Sequence, residues 1–164
     1  MELGGQKFAD RLLATCLMVG GVVGVVGVLF MGGNLIRQHW IYGVLLALFV
    51  WIFVWSALSG LRLWRGKAGG WKWATILFAA QIPVLTVPGM TYEYYTGLSY
   101  KVMGGHVTEN IALALGSQAK LYLDTRITDL AYGVNLFACA AAIYLFCRRN
   151  AYVRPSLLPK SEVS

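Results

Sequence analysis

Four long apolar stretches fringed by basic residues constrain this chain more than any other feature: residues 12–31, 41–61, 73–87 with their flanks, and 130–146. At 1.5 Å per helical residue, about 20 such residues cross a ~30 Å hydrocarbon core. With 58% hydrophobic residues and a mean hydropathy of +0.62, the composition is that of a membrane protein rather than a soluble domain. The expected fold is an all-α membrane bundle of four transmembrane helices, with a small extracytoplasmic loop that contains a β-hairpin between helices 3 and 4.

The formal charge of +7 suggests nucleic acid until its placement is read. Lys7, Arg11, Arg62, Arg65, Lys67, Lys72, Arg148, Arg149, Arg154 and Lys160 all flank the same ends of the four stretches. Arg37, Lys101, Lys120 and Arg126 fall on the other side. The positive-inside rule makes the first group cytoplasmic, which predicts both termini in the cytoplasm and lipid rather than nucleic acid as the charge partner. The compact chain and the lack of cysteines in the outer loop point to a bacterial inner membrane, with an organelle membrane fitting the same physics. Residues 1–150 then form the transmembrane domain, residues 90–128 its extracytoplasmic loop, and 151–164, with Pro155 and Pro159, a disordered cytoplasmic tail.

Within the stretches, Gly20, Gly24 and Gly27 lie on one helix face, and Gly133, Ala138 and Ala142 offer a small-residue face for them to pack on. Gln81 and Asn135 are polar residues at membrane depth, and Pro83 is expected to kink the third helix. Gln81, Pro83 and Asn135 are therefore the candidate polar intramembrane site. In the loop, Tyr92, Tyr94, Tyr95 and Tyr100 form an aromatic cluster, and with His106 they are the candidate contact surface for a partner. Alternation of Ile111, Leu113 and Leu115, then Ala119, Leu121 and Leu123, on either side of Gly116-Ser117 predicts a hairpin turning at that pair. A third strand is expected from residues 95–103.

No chemistry-bearing constellation stands out. His106 and Glu109, with Glu93, Asp124 and His39, lack metal-ligand spacing, so neither metal nor cofactor is expected. Ser99 and Ser117 lack the local signature of a nucleophile. Cys16, Cys139 and Cys147 lie in or beside the apolar stretches, which excludes a disulfide-stapled ectodomain. A large loop between the third and fourth spans is similar to the tetraspanin layout, but the Cys-Cys-Gly motif of that family is absent. Small four-span multidrug exporters carry an acidic residue inside their first helix, whereas Asp10 precedes this one. The expected function is that of a non-enzymatic scaffold or accessory subunit presenting its outer loop to a protein or lipid partner, or to further copies of itself. The alternative is a small oligomeric transporter or channel.

Overall fold

A computed structural model describes residues 2–36, 40–67, 69–105, 111–124 and 129–149. His39, His106, Glu109 and the tail at 151–164 lie outside these described residues. The described residues form four helices, α1 (Glu2–Ile36), α2 (Trp40–Trp64), α3 (Gly70–Ala80) and α4 (Leu136–Cys147), and four strands, β1 (Pro83–Val87), β2 (Gly89–Gly105), β3 (Ile111–Asp124) and β4 (Ala131–Asn135). A four-helix transmembrane bundle is therefore the wrong description. The fold combines helices with an antiparallel sheet, and only α1 and α2 are long and apolar enough to cross a membrane.

The third and fourth apolar stretches each divide into a half-length helix and a strand. At 11 and 12 residues, α3 and α4 extend only about 16–18 Å. Pro83 is responsible for the first division. It disfavours helical geometry at Ile82, has no N–H for a further helical bond, and opens the β-branched run that becomes β1. It starts a strand instead of kinking a helix, a position where a missing donor is tolerated. On the other side Asn135 ends β4 and caps α4, its side chain accepting from the Ala138 amide at 3.3 Å. Hydropathy alone treats a buried strand and a buried helix alike, which is why both stretches read as spans.

Helices α1 and α2 form an antiparallel pair with very close backbone approach. A Cβ at Gly21 would lie 2.6 Å from the Phe53 carbonyl oxygen, and one at Gly60 would lie 2.7 Å from that of Ala14. Gly24 seats the Phe53 ring, whereas Gly27 faces open space. The lower halves of α1 and α2 pack with α3 and α4 around Leu17, Leu63, Phe78, Ala138 and Leu145. At this foot Arg148 pairs with Asp10 at 2.6 Å, and the Arg11 guanidinium lies over the Trp64 ring. The basic residues at the ends of α1, α2 and α4 are thus gathered at one pole.

Strand β2 reverses direction half-way along. Its first residues pair antiparallel with β1 (Tyr92 opposite Leu85) and its last with β4 (Val102 opposite Val134), while β1 and β4 are antiparallel to each other. Those three relations require the two arms of β2 to run oppositely. The reversal falls at Gly97 (φ 83°), and β3 follows it around with Gly116 (φ 128°) directly opposite. Both residues occupy backbone conformations that favour glycine. The result is a curled sheet of six antiparallel segments: the first arm of β3, second arm of β2, β4, β1, first arm of β2 and second arm of β3. Gly116-Ser117 is therefore no hairpin turn. It sits at the apex of a folded two-stranded ribbon, and period-two alternation persists through it because the ladder is continuous.

Candidate functional site

Two polar clusters lie at the sheet, one on its inner face and one at the bend of β2, and register determines which residues share a face. Residues directly opposite one another in neighbouring strands share a face. Glu93 and Lys101, eight residues apart on one strand, form an ion pair across the curl, so the face they share is the inner one. Tyr95 is on it too, its ring lying under the Lys101 ammonium with 4.5 Å between nitrogen and centroid. Lys120 reaches the second Glu93 oxygen at 3.3 Å. Gln118 completes the group when its amide nitrogen is turned to Glu93 (3.2 Å) and its oxygen to Lys120 (2.9 Å). Thr91 and Thr86 continue the same face, their hydroxyl oxygens 3.4 Å apart.

The outer face is apolar. Around the first arm it is covered by the helices: Tyr94 packs on Phe53, and the Tyr92 hydroxyl donates to the Ala80 carbonyl at 2.8 Å. The apex itself rests on α1. A Cβ at Gly20 would fall 2.3 Å from the Gly97 nitrogen, and the Ser117 hydroxyl donates to the Gly20 carbonyl. Around the second arm the outer face is bare. Leu115 is 85% exposed, Leu113 73% and Ile111 60%, with Tyr100, Val102 and Val134 exposed beside them. Tyr132, also exposed, lays its ring over Gly104.

Where β2 bends, neither β1 nor β4 follows it, so residues near the apex lack a neighbouring strand on that edge. Side-chain amides take the place of the missing ladder. Gln81, at the end of α3, accepts from the Thr96 amide at 3.1 Å and donates to its hydroxyl at 3.0 Å. Asn135, at the start of α4, accepts from the Tyr100 amide at 3.2 Å. Ser56 of α2 donates to the Leu17 carbonyl at 3.2 Å and lies 3.4 Å from the Thr96 hydroxyl. Gln81, Asn135, Thr96 and Ser56 are all fully buried. Among the described residues, the Tyr94 hydroxyl, the Ser99 hydroxyl and the Asn135 amide nitrogen are buried without a protein partner.

Asn135→Ala should lower stability by about 2 kcal/mol, because it removes a helix cap and strands the Tyr100 amide in the interior. Thermal unfolding in detergent, followed by circular dichroism, measures this. A change indistinguishable from zero would mean that the amide carries no structural load.

Compared with family models, curated proteins and solved structures, this chain gives no significant match.

The residues singled out from the sequence thus separate. Gln81 and Asn135 meet on opposite sides of the β2 apex, with Pro83 beside them as the first residue of β1. Of the small residues assigned to helix packing, Gly24 and Ala138 are in helix contacts, Gly20 packs on a strand, and Gly133 belongs to β4, beside Met103. Tyr94 and Tyr95 are buried on opposite faces, whereas Tyr100 is exposed. The charged group at Glu93, Lys101 and Lys120 was not among the candidates. Its signal was the alternation Thr91, Glu93, Tyr95 against Tyr92, Tyr94, which marks a two-faced strand where only an aromatic cluster was read.

Proposed function

We propose that this chain is an integral, non-enzymatic membrane protein, held by the α1–α2 pair with its basic foot on the cytoplasmic side of a bacterial inner membrane, that acts as an accessory subunit by adding its sheet to a partner protein. Several features support the membrane part. The apolar windows of α1 and α2 are only 33% and 22% buried, too little for the core helices of a soluble domain, and the cationic side chains at the ends of α1, α2 and α4 collect at one pole.

The observation that carries the partner is the free edge of β3. Among the described residues β3 pairs only with β2, so one edge of a 14-residue strand presents unpaired backbone groups. Which groups these are follows from Asn135. The Tyr100 amide points at Asn135, away from β3, so Tyr100 and Leu113 form a non-hydrogen-bonded pair and the Leu113 N–H points to the free edge. Ile111 and Leu115, two residues to either side, point the same way. Such an edge recognises an extended segment by main-chain hydrogen bonds.

Proline at residue 113 therefore tests the reading cleanly, since it removes a free-edge donor without touching the β2 ladder. Wild type and Leu113→Ala, purified from native membranes in mild detergent, should run above the mass of the lone chain. Leu113→Pro should fall to that mass while keeping its sheet signal by circular dichroism. Wild type at the lone-chain mass, or a complex indifferent to Leu113→Pro, would refute it.

A further inference from the structure

Resting on the membrane reading above, we infer that the bare outer face of the second arm is a lipid-contacting surface: Tyr100, Val102, Ile111, Leu113, Leu115 and Val134 face acyl chains in the leaflet farther from the basic foot. The sheet thus lies within the bilayer rather than beyond it.

Depth is the first ground. The apex at Gly97 and Ser117 rests on Gly20, near the middle of the apolar window Lys7–Phe30 of α1. From Gly20 to Phe30 the helix rises about 15 Å, and from Leu115 to Ile111 the strand rises about 13 Å, so this arm occupies the same layer as the upper half of the span. The half-length helices agree. Helix α3 reaches about 16 Å above the foot and the five residues of β1 add about 17 Å, so helix and strand in series match a ~30 Å core that neither crosses alone.

Polarity is the second ground. A water-soluble curled sheet hides its apolar face inside. This sheet does the reverse, with Glu93 and Lys101 enclosed, Lys120 and Gln118 on the same inner face, and Leu113 and Leu115 turned outward. Apolar outside and polar inside is the alternation that hydrocarbon imposes on strands. Among the described residues the bare face carries no charged side chain, and it continues the exposed apolar faces of α1 and α2, where Val22, Val26, Leu48 and Val54 are uncovered. Backbone polarity is handled accordingly. Strands β1, β4 and β2 close on one another, and Gln81 and Asn135 cover the gap at the bend. The edges left over are the two arms of β3, whose unpaired groups the partner strand proposed above would satisfy.

Depth-resolved fluorescence quenching tests this in full-length protein reconstituted in vesicles, with Cys16→Ala, Cys139→Ser and Cys147→Ser as background. An environment-sensitive maleimide dye is attached in turn to Leu115→Cys, Leu113→Cys, Ile111→Cys, Val26→Cys on α1 and Asp129→Cys outside the sheet. Dye on Leu115→Cys and Leu113→Cys should be quenched by chain-brominated phospholipids about as strongly as dye on Val26→Cys. Quenching by aqueous iodide should be several-fold weaker there than at Asp129→Cys, and the bromine position that quenches best should shift toward the headgroup from Leu115→Cys to Ile111→Cys. Iodide quenching at the β3 positions equal to that at Asp129→Cys, with Val26→Cys still lipid-quenched, would overturn the inference and leave the membrane reading intact. Protection from both quenchers would assign the face to a protein, a second copy included, and also overturn it. Iodide access at Val26→Cys would remove the membrane reading itself.

Discussion

Gly97→Ala is expected to cost roughly 3–5 kcal/mol, enough to abolish folded protein from a chain of ordinary stability. Two penalties combine. The backbone at φ 83° disfavours any L side chain, and the new methyl would sit 2.7 Å from the Cys16 carbonyl oxygen in the middle of α1. Two other glycines separate these terms. Gly116→Ala, at φ 128° with open space around it, should incur only the backbone penalty of about 1–3 kcal/mol. Gly27→Ala, helical and unopposed, should be neutral or stabilising by about 0.5–1 kcal/mol. Thermal midpoints in one detergent rank the three variants, and Gly97→Ala as stable as Gly116→Ala would show that α1 does not press on the apex.

Glu93→Gln is the second large effect. Lys101 is 7% exposed and Glu93 is its ion-pair partner, so neutralising Glu93 leaves an ammonium buried without its counter-charge. Breaking such a pair from one side costs about 3–5 kcal/mol, whereas replacing both partners by uncharged groups of similar shape is close to neutral. The double variant Glu93→Gln with Lys101→Met should therefore recover most of what the single variant loses. Lys120→Met, at the more exposed end of the group, should cost no more than about 1 kcal/mol. Urea or mixed-micelle unfolding of wild type, Glu93→Gln, Lys101→Met and the double variant completes the cycle, with Lys120→Met measured alongside. A single variant as stable as wild type would show that water already reaches Lys101.

What the sequence discloses here is where the apolar and charged segments lie rather than the topology. The apolar windows of α1 and α2, the cationic foot and the strand character of residues 111–123 are all visible in hydropathy, charge placement and period. The half-length helices are not, because Phe78, Ile82 and Val84 are equally apolar whether they lie on a helix or a strand. Pro83 was the available clue, and it reads as a kink wherever a helix has already been assumed. Gly97 was obscured differently. It lies in a tyrosine-rich run whose chemistry draws attention to its side chains, while the decisive feature is a backbone reversal that depends on Gly116, nineteen positions later and directly opposite in the sheet. Nor does anything local reveal that Glu93 and Lys101 meet, since their contact exists only once the strand has folded back.

If the chain is a membrane protein as proposed above, the paired legs, α3 leading into β1 and β4 leading into α4, also govern how it is made. Delivered singly to an insertion channel, neither leg presents a full-length apolar helix, and the backbone of each strand has no partner until the other arrives. The α1–α2 pair can enter as it is synthesised. Everything from Gly70 to Cys147 has to wait, because β1 finds β4 only across almost fifty intervening residues and the folded ribbon must lie between them. Assembly is accordingly late and all-or-none, with the finished hairpin of helices serving as the template on which the second half closes.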